Sequence, residues 1–284
     1  MQKLYGHCMI AGVLLGHCSH FTYANCTKWK SKCEKCPEKD RYPKSLIDNS
    51  KKNYELKKQL FKGIKNLTIV TPSEWLANLV KKSFLKEYEI KVINNGIDLN
   101  VFKPTYDENT YEKYNIPRNK KIILGVASVW NERKGLQYFE ELSKYLDDKN
   151  EIIVMVGLNK KQIKCLPCNI IGIGKVEDTK DLVKIYSISD VCFNPSVEET
   201  FSLVTLEALA CGTPCIVMNS TATPELIRNK ECGIIEKEFT IDKIYDDIKR
   251  VIKNKNERTL VKFTERYDKK IIQQYIMLYE ETGE

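Results

Sequence analysis

The sequence predicts an α/β protein built on a Rossmann-like, doubly wound parallel sheet. Three observations carry this reading. From residue 120 on, short apolar runs rich in Ile and Val alternate with amphipathic helical stretches, the pattern of a parallel sheet covered on both faces. The 284-residue chain is 42% hydrophobic, enough for one or two packed cores and too much for a disordered chain. No apolar run approaches the roughly 18–20 residues of a membrane span. Met9 to Leu15 is apolar but far too short.

The elements follow in order. Residues 1–45 read as irregular, rich in Cys, Lys and aromatic residues. Residues 46–65 read as an amphipathic helix, with Leu46, Tyr54, Leu56, Leu60, Phe61 and Ile64 set among lysines. Residues 67–70 form a short strand, and Thr71-Pro72-Ser73 caps a helix over 74–84. A second strand at 91–93 ends in Asn94-Asn95-Gly96, and a polar connector covers 99–119. Strands then fall at 122–127, 152–156, 169–173, 190–194, 214–218 and 233–235. Helices fall at 136–146, 181–187, 203–210, 224–227 and 241–252, with a last helix at 268–281. In such a sheet, ligands bind outside the carboxyl ends of the strands. The loops after the strands are therefore where chemistry is expected.

Lys and Arg number 46 against 38 Asp and Glu, a net charge of +8. This modest excess suits anionic partners such as lipid head groups or phosphorylated substrates. The lysines come in scattered pairs, and no aromatic-interleaved basic stripe marks a nucleic-acid binder. Eleven cysteines, unevenly spread, do not resemble a secreted disulfide scaffold. A reducing, cytoplasmic compartment is expected, with peripheral contact at the inner face of the membrane.

Cys18, Cys26, Cys33 and Cys36 crowd one segment, with His17 and His20 beside them. Cys33-x2-Cys36 has the spacing of half a zinc knuckle, and four thiolates suffice for a tetrahedral structural zinc site. Free thiols and disulfides are the alternative readings. Cys165-x2-Cys168 has no second pair in sequence.

The most specific constellation runs from Pro195 to Pro214 and begins where strand 190–194 ends. Glu199 falls in the loop and Glu207 about one turn into the next helix. Between them the helix start offers unpaired backbone N–H groups from Phe201, Ser202, Leu203 and Val204, an anion site suited to phosphate. Taken singly, the two carboxylates are a loop residue and a helix salt-bridge partner. Together with the flanking Phe201, Gly212 and Pro214 they form a pattern.

That pattern resembles the E-x7-E signature of retaining GT-B-type glycosyltransferases, family 4 (group 1), in particular a polysaccharide-biosynthesis subgroup. Val92-Ile-Asn-Asn-Gly-Ile-Asp98 is similar to the family's turn between two domains. Asn131-Glu-Arg-Lys-Gly135 is similar to its basic phosphate-contacting loop, and Pro224-Glu225 to the loop after the next strand. The resemblance covers roughly residues 16–284. It implies a hexose transfer from a UDP-, GDP- or ADP-sugar to a saccharide or lipid-linked saccharide, with retention and with no cofactor required. It further implies that Glu199 contacts donor-sugar hydroxyls and that Glu207 binds the ribose. N–H groups near Phe201, Ser202 and Leu203 approach the diphosphate, and Arg133 and Lys134 neutralise it as it leaves. Two departures stand out. No Arg follows the first strand's glycine, leaving Arg133 to substitute. Thr221-Ala222 stands where the family has Gly-Gly, although backbone close to a ligand favours Gly.

The resemblance also implies three parts. Residues 1–95 are an incomplete Rossmann-like remnant of the acceptor-side domain, truncated at its N-terminus and containing the Cys-rich segment 17–37. Residues 96–262 form the nucleotide-sugar-binding domain, and 263–284 a helix crossing back. Met9–Gly12 and Leu14-Leu15 fit a shifted reading frame over a longer first domain. Two rival readings accompany the enzyme: a donor-binding but inactive fragment, and a zinc-stabilised interaction module that needs a partner chain.

Overall fold

The computed structural model describes residues 4–8, 11–18, 21–41, 43–227, 230–237, 240–268 and 270–280. The chain divides into two compact units. The first is Met1–Asn95 with Glu198–Phe201 and Lys270–Glu284; the second is Gly96–Val197 with Ser202–Lys269.

The first unit is built on a three-stranded parallel sheet of β1 (Leu4–His7), β2 (Leu67–Thr71) and β3 (Glu89–Val92), in that spatial order. Every residue of the central β2 is buried, which is why it reads as a continuous β-branched run rather than an alternation. Helix α1 (Ser50–Phe61) is shorter than the expected 46–65. Leu46 and Ile47 precede it exposed, and Asp48 turns the chain there by accepting the N–H of Ser50 and the N–H of Cys36. Helix α2 (Glu74–Val80) starts where the Ser73 hydroxyl accepts the Leu76 N–H, 3.2 Å away.

Residues 1–45 are less irregular than the sequence suggested. Strand β1 pairs in register with β2, Leu4 opposite Leu67 and His7 opposite Val70. Leu14, Leu15, Cys18, Phe21 and Trp29 join Leu67, Ile69, Leu76 and Val80 in one core. The strand is only four residues long with both ends exposed, so it leaves no apolar alternation to read.

The second unit carries a six-stranded, all-parallel sheet. Its strands are β4 (Lys121–Val126), β5 (Glu151–Val156), β6 (Ile170–Ile173), β7 (Val191–Asn194), β8 (Cys215–Met218) and β9 (Gly233–Glu236). They lie in the order β6-β5-β4-β7-β8-β9. This order reverses direction between β4 and β7, the topological switch point of a doubly wound fold. Ile123, Ile153, Phe193 and Ile216 from four neighbouring strands are fully buried in one cluster.

The helices are α3 (Asn109–Lys113), α4 (Leu136–Leu142), α5 (Lys160–Lys164), α6 (Thr179–Ile188), α7 (Leu203–Ala210), α8 (Ile241–Lys253) and α9 (Glu257–Thr264). Helix α4 packs beside α8, while α7 packs with α6 and α9. Right-handed crossovers running outward from the switch point place these two groups on opposite faces. Helix α3 falls in the expected polar connector 99–119, and α5 and α9 fall in segments for which the sequence reading gives no element. Two of them carry caps that were present in the sequence: Asn159 and Gln162 form a capping box at α5, and Asn256 accepts the Thr259 N–H at α9.

Helix α10 (Lys270–Glu280) packs in the first unit. The Tyr5 hydroxyl donates to Leu278 O at 2.6 Å, the His7 ring stacks on Tyr275, and Ile271 and Leu278 bury against Val70 and Ile93. The expected crossing segment 263–284 therefore divides. Residues 263–269 belong to the second unit, where Tyr267 O accepts the Ile97 N–H at 2.7 Å.

Candidate functional site

The carboxyl ends of β4, β7 and β8 bring three loops of the second unit together. The loop after β4 is shaped by its own side chains. The Trp130 indole is buried and donates to Val156 O at 2.8 Å. The Asn131 carboxamide accepts the N–H groups of Arg133 and Lys134 at 3.0 and 3.2 Å, winding residues 132–134 into a single 3-10 turn. Gly135 ends the turn at φ +78°. A Cβ there would stand 2.6 Å from Pro195, so only glycine lets the loop after β4 lie against the loop after β7. Arg133 O then accepts the Val197 N–H at 3.0 Å. The predicted cationic pair, half-buried, is thus tied through its backbone to the segment that carries the E-x7-E pattern. The loop after β8 is tied to the same place, because the Ser220 hydroxyl donates to Val197 O.

The start of α7 is held from beneath. The buried Asn194 carboxamide, at the end of β7, donates to both the Ser202 and the Thr205 hydroxyls at 3.0 Å. Its oxygen accepts the Ser196 N–H. Ser202 sits at φ +77° with its hydroxyl in this network and not over the helix end. Consequently α7 has no side-chain cap, and the N–H groups of Leu203 and Val204 have no acceptor among the described residues. Such groups, with the helix dipole behind them, attract an anion.

Glu207 lies one turn further along α7. The Tyr186 hydroxyl donates to its Oε2 at 2.9 Å. Tyr186 itself is fully buried, and its carbonyl accepts the Thr213 hydroxyl at 2.6 Å. Burial pushes the Glu207 carboxyl above its ordinary range, and the Tyr186 hydrogen bond acts the other way. The Tyr186 phenol is pushed up in turn by burial and by the neighbouring carboxylate. A carboxylate fixed by one hydrogen bond in a half-buried place is pre-oriented to accept further donors.

The structure brings Arg133, Lys134, Ser202, Leu203, Val204 and Glu207 into one unit. Glu199 and Phe201 fall in Glu198–Phe201, which groups with the first unit. There the Tyr23 N–H donates to Glu198 Oε2 at 3.2 Å, Glu199 is half-buried and Phe201 is buried. Asn194, Tyr186 and Ser220 carry no role in the sequence reading, and Asn131 stands there only as the first residue of the basic loop, without its capping role. An Asn before a basic turn and an Asn ending a buried strand are signals of capping and loop support. The Tyr186–Glu207 pair links residues 21 positions apart, and no local pattern announces it.

Thr221, at one of the two positions where the family pattern has Gly, adopts φ +54°. Left-handed backbone is unfavourable for a β-branched residue and open to glycine.

In the first unit, Cys18, Cys26, Cys33, Cys36 and His17 line one small cavity. None of the four cysteines takes part in a disulfide. Burial raises the Cys33 thiol, and neighbouring Cys26 and Cys36 add to that. Among the described residues, no three His, Cys, Asp or Glu side chains stand drawn together as a metal cluster. His20 lies outside the described residues. No helix among the described residues is long and apolar enough to cross a membrane.

A parallel sheet in this order, with a basic turn tied by backbone to the loop that leads into an uncapped helix start, defines a Rossmann-like domain. The chain belongs to the glycosyl transferases group 1 family, whose model matches residues 107–270. It is 28% identical over 191 residues to the UDP-Gal:alpha-D-GlcNAc-diphosphoundecaprenol alpha-1,3-galactosyltransferase of Escherichia coli, covering 62% of this chain and 48% of that protein. It is 28% identical over 178 residues to the processive diacylglycerol alpha-glucosyltransferase of Acholeplasma laidlawii, covering 60% of this chain and 53% of the other. The chain thus spans about half the length of these relatives. Its fold matches a glycosyltransferase from Rickettsia africae (TM-score 0.70, 20% identity, 80% of this chain and 67% of that one). It also matches Anabaena Alr3699/HepE in complex with UDP and glucose (TM-score 0.67, 18% identity, 81% and 67%).

Thr221→Gly relieves the left-handed strain and is expected to stabilise the protein by about 1 kcal/mol. Thermal unfolding should show a rise in Tm of about 2–4 °C. An unchanged or lower Tm would mean that Thr221 is not strained in the folded protein.

Proposed function

We propose that the chain is a retaining glycosyltransferase that moves a hexose from a nucleotide-sugar donor to a saccharide or lipid-linked saccharide. The observation that supports this best is the uncapped start of α7, carrying Glu207 one turn on and tied by backbone to the Arg133–Lys134 turn. In this reading the N–H groups of Leu203 and Val204 receive the diphosphate, with Phe201 and Ser202 shaping the approach. The Glu207 carboxylate accepts the ribose hydroxyls. Arg133 and Lys134 stabilise the charge that develops as the bond between sugar C1 and the phosphate oxygen breaks. The acceptor hydroxyl oxygen bonds to C1 on the same face as its proton passes to the departing phosphate oxygen, and Glu199 holds hydroxyls of the transferred sugar. The name of the Escherichia coli relative and the ligand of the Anabaena structure both contain UDP, which favours a UDP-sugar.

The relatives' names point to lipid-borne acceptors, and the first unit carries a surface compatible with a membrane face. Lys30, Lys58, Lys62, Lys82 and Lys86 line one groove together with Glu87, and Leu56 and Leu60 of α1 are exposed. We therefore place the protein at the cytoplasmic membrane surface. It should co-sediment with vesicles containing phosphatidylglycerol and be released by salt. Equal binding to zwitterionic vesicles, or none to either, would remove that placement.

Calorimetry against UDP-, GDP- and ADP-sugars tests the donor site, and NMR of the product anomeric proton after incubation with lipid-linked saccharides tests transfer and retention. Binding without transfer would point to the donor-binding fragment instead; an inverted anomer would refute retention. Glu207→Ala should weaken UDP binding by tenfold or more, because a hydrogen bond to a charged group contributes roughly 1.5–3 kcal/mol. The pH dependence has a definite sign. With its carboxyl raised, Glu207 gains a proton as pH falls and becomes a poorer acceptor, so affinity drops on the acid side. Glu207→Gln should lack that limb when titrated with the same ligand. Wild-type affinity and pH profile in both variants would remove the ribose assignment.

A further inference from the structure

The cysteine segment has no part in the donor chemistry, yet the first unit is organised around it. Cys18, Cys26, Cys33 and Cys36 come from four separate points of a stretch with little regular structure. All four line one cavity of about 10 Å³, room for a single small particle. The ring nitrogen Nε2 of His17, on the same wall, is buried without a hydrogen-bond partner among the described residues. No disulfide joins any of these cysteines.

The surrounding backbone is arranged to hold this cage. Gly16 packs so tightly that a Cβ would stand 2.0 Å from Ser50 O and 2.8 Å from the Cβ of Cys33, which sets Cys33 against the strand of chain leading to Cys18. Between Cys33 and Cys36, Lys35 takes φ +47°, a left-handed turn that folds the short Cys-x2-Cys link back on itself. The Cys36 N–H is fixed by Asp48 Oδ2 at 2.9 Å. Lys28 Nζ bonds to Glu34 O and Lys35 O at 3.0 and 2.9 Å. On the other side the Lys57 ammonium reaches Gly12 O and Leu15 O at 2.8 and 2.6 Å. Phe21 and Trp29 also line the cavity, their ring centroids 5.2 Å apart.

Four sulfur donors around a space for one atom is the donor set of a structural zinc site, and soft thiolates exclude magnesium or calcium as the occupant. We propose that Cys18, Cys26, Cys33 and Cys36 bind one zinc ion that fastens this segment to the first unit's core. Binding releases the four thiol protons and forms four Zn–S bonds with no change of oxidation state. The net charge of the site becomes −2, next to the Lys57 ammonium. As the side chains stand, no three of the described donors are close enough together to hold a metal, so binding has to draw the four sulfurs inward. His17 is the spare donor on the wall.

The test uses the full chain, purified under reducing conditions without added zinc. Elemental analysis should find about one zinc per chain, released in step with titration of thiols by an organomercurial. Replacing zinc by cobalt should produce the intense sulfur-to-cobalt charge-transfer absorption of a tetrahedral thiolate site. The double variant Cys33→Ser/Cys36→Ser should lose the metal, while Cys165→Ser/Cys168→Ser, altered at the exposed pair, should keep it. If the double variant does not fold, wild-type metal content and the cobalt spectrum still decide. Metal-free protein with all four thiols open to alkylation would overturn the proposal. So would a mass two or four daltons low from disulfides, or zinc that follows Cys165 and Cys168 instead.

Discussion

The candidate site depends on one junction: the parallel pairing of β4 with β7. Ile123 lies opposite Val191 and Leu124 opposite Cys192, and this pairing is where the sheet reverses its order. Because both strands run the same way, their following loops leave the sheet side by side. Gly135 removes the side chain that would keep them apart, and the Arg133–Val197 backbone hydrogen bond closes the gap. The Arg133–Lys134 turn and the start of the Glu207-bearing helix are thereby positioned by main-chain geometry.

The same junction explains why the helix start stays open. Asn194 at the end of β7 uses both amide hydrogens on Ser202 and Thr205. That draws the Ser202 hydroxyl down into the protein, and the residue in the capping position does not cap. The left-handed backbone at Ser202 costs roughly 1–2 kcal/mol, offset by a buried network with good geometry. An unsatisfied helix end is unfavourable in water-poor surroundings, and an anion relieves it. Glu207, meanwhile, is kept apart from that positive end by one turn and fixed by Tyr186.

Much of this was legible in the sequence. The strands β4 to β9 are short and largely apolar, with β4, β5, β6 and β9 rich in Ile or Val, so each stands out. The polar run Pro195–Ser202, followed by an apolar helix, marks the loop and its helix start. Harder to see were features made by distant partners. Strand β1 is recognisable only through its pairing with β2, and Tyr186 matters only because the fold brings it to Glu207. Short helices such as α3 and α5, at five residues each, bury no side of their own large enough to impose a period. The departure at Thr221-Ala222 is visible as an odd residue choice, but the left-handed backbone at Thr221 is set by the fold and leaves no trace in the sequence.

The most direct measurement is an amide chemical-shift titration of the isotope-labelled protein with UDP. The account predicts that the largest, saturable shifts fall on Leu203, Val204, Arg133 and Lys134, with smaller ones along α7 to Glu207. The second unit has another cavity, lined by residues of β9 and α8 including Arg250. Shifts confined to that cavity, with the amides at the start of α7 unmoved, would contradict the assignment of the switch point as the nucleotide site.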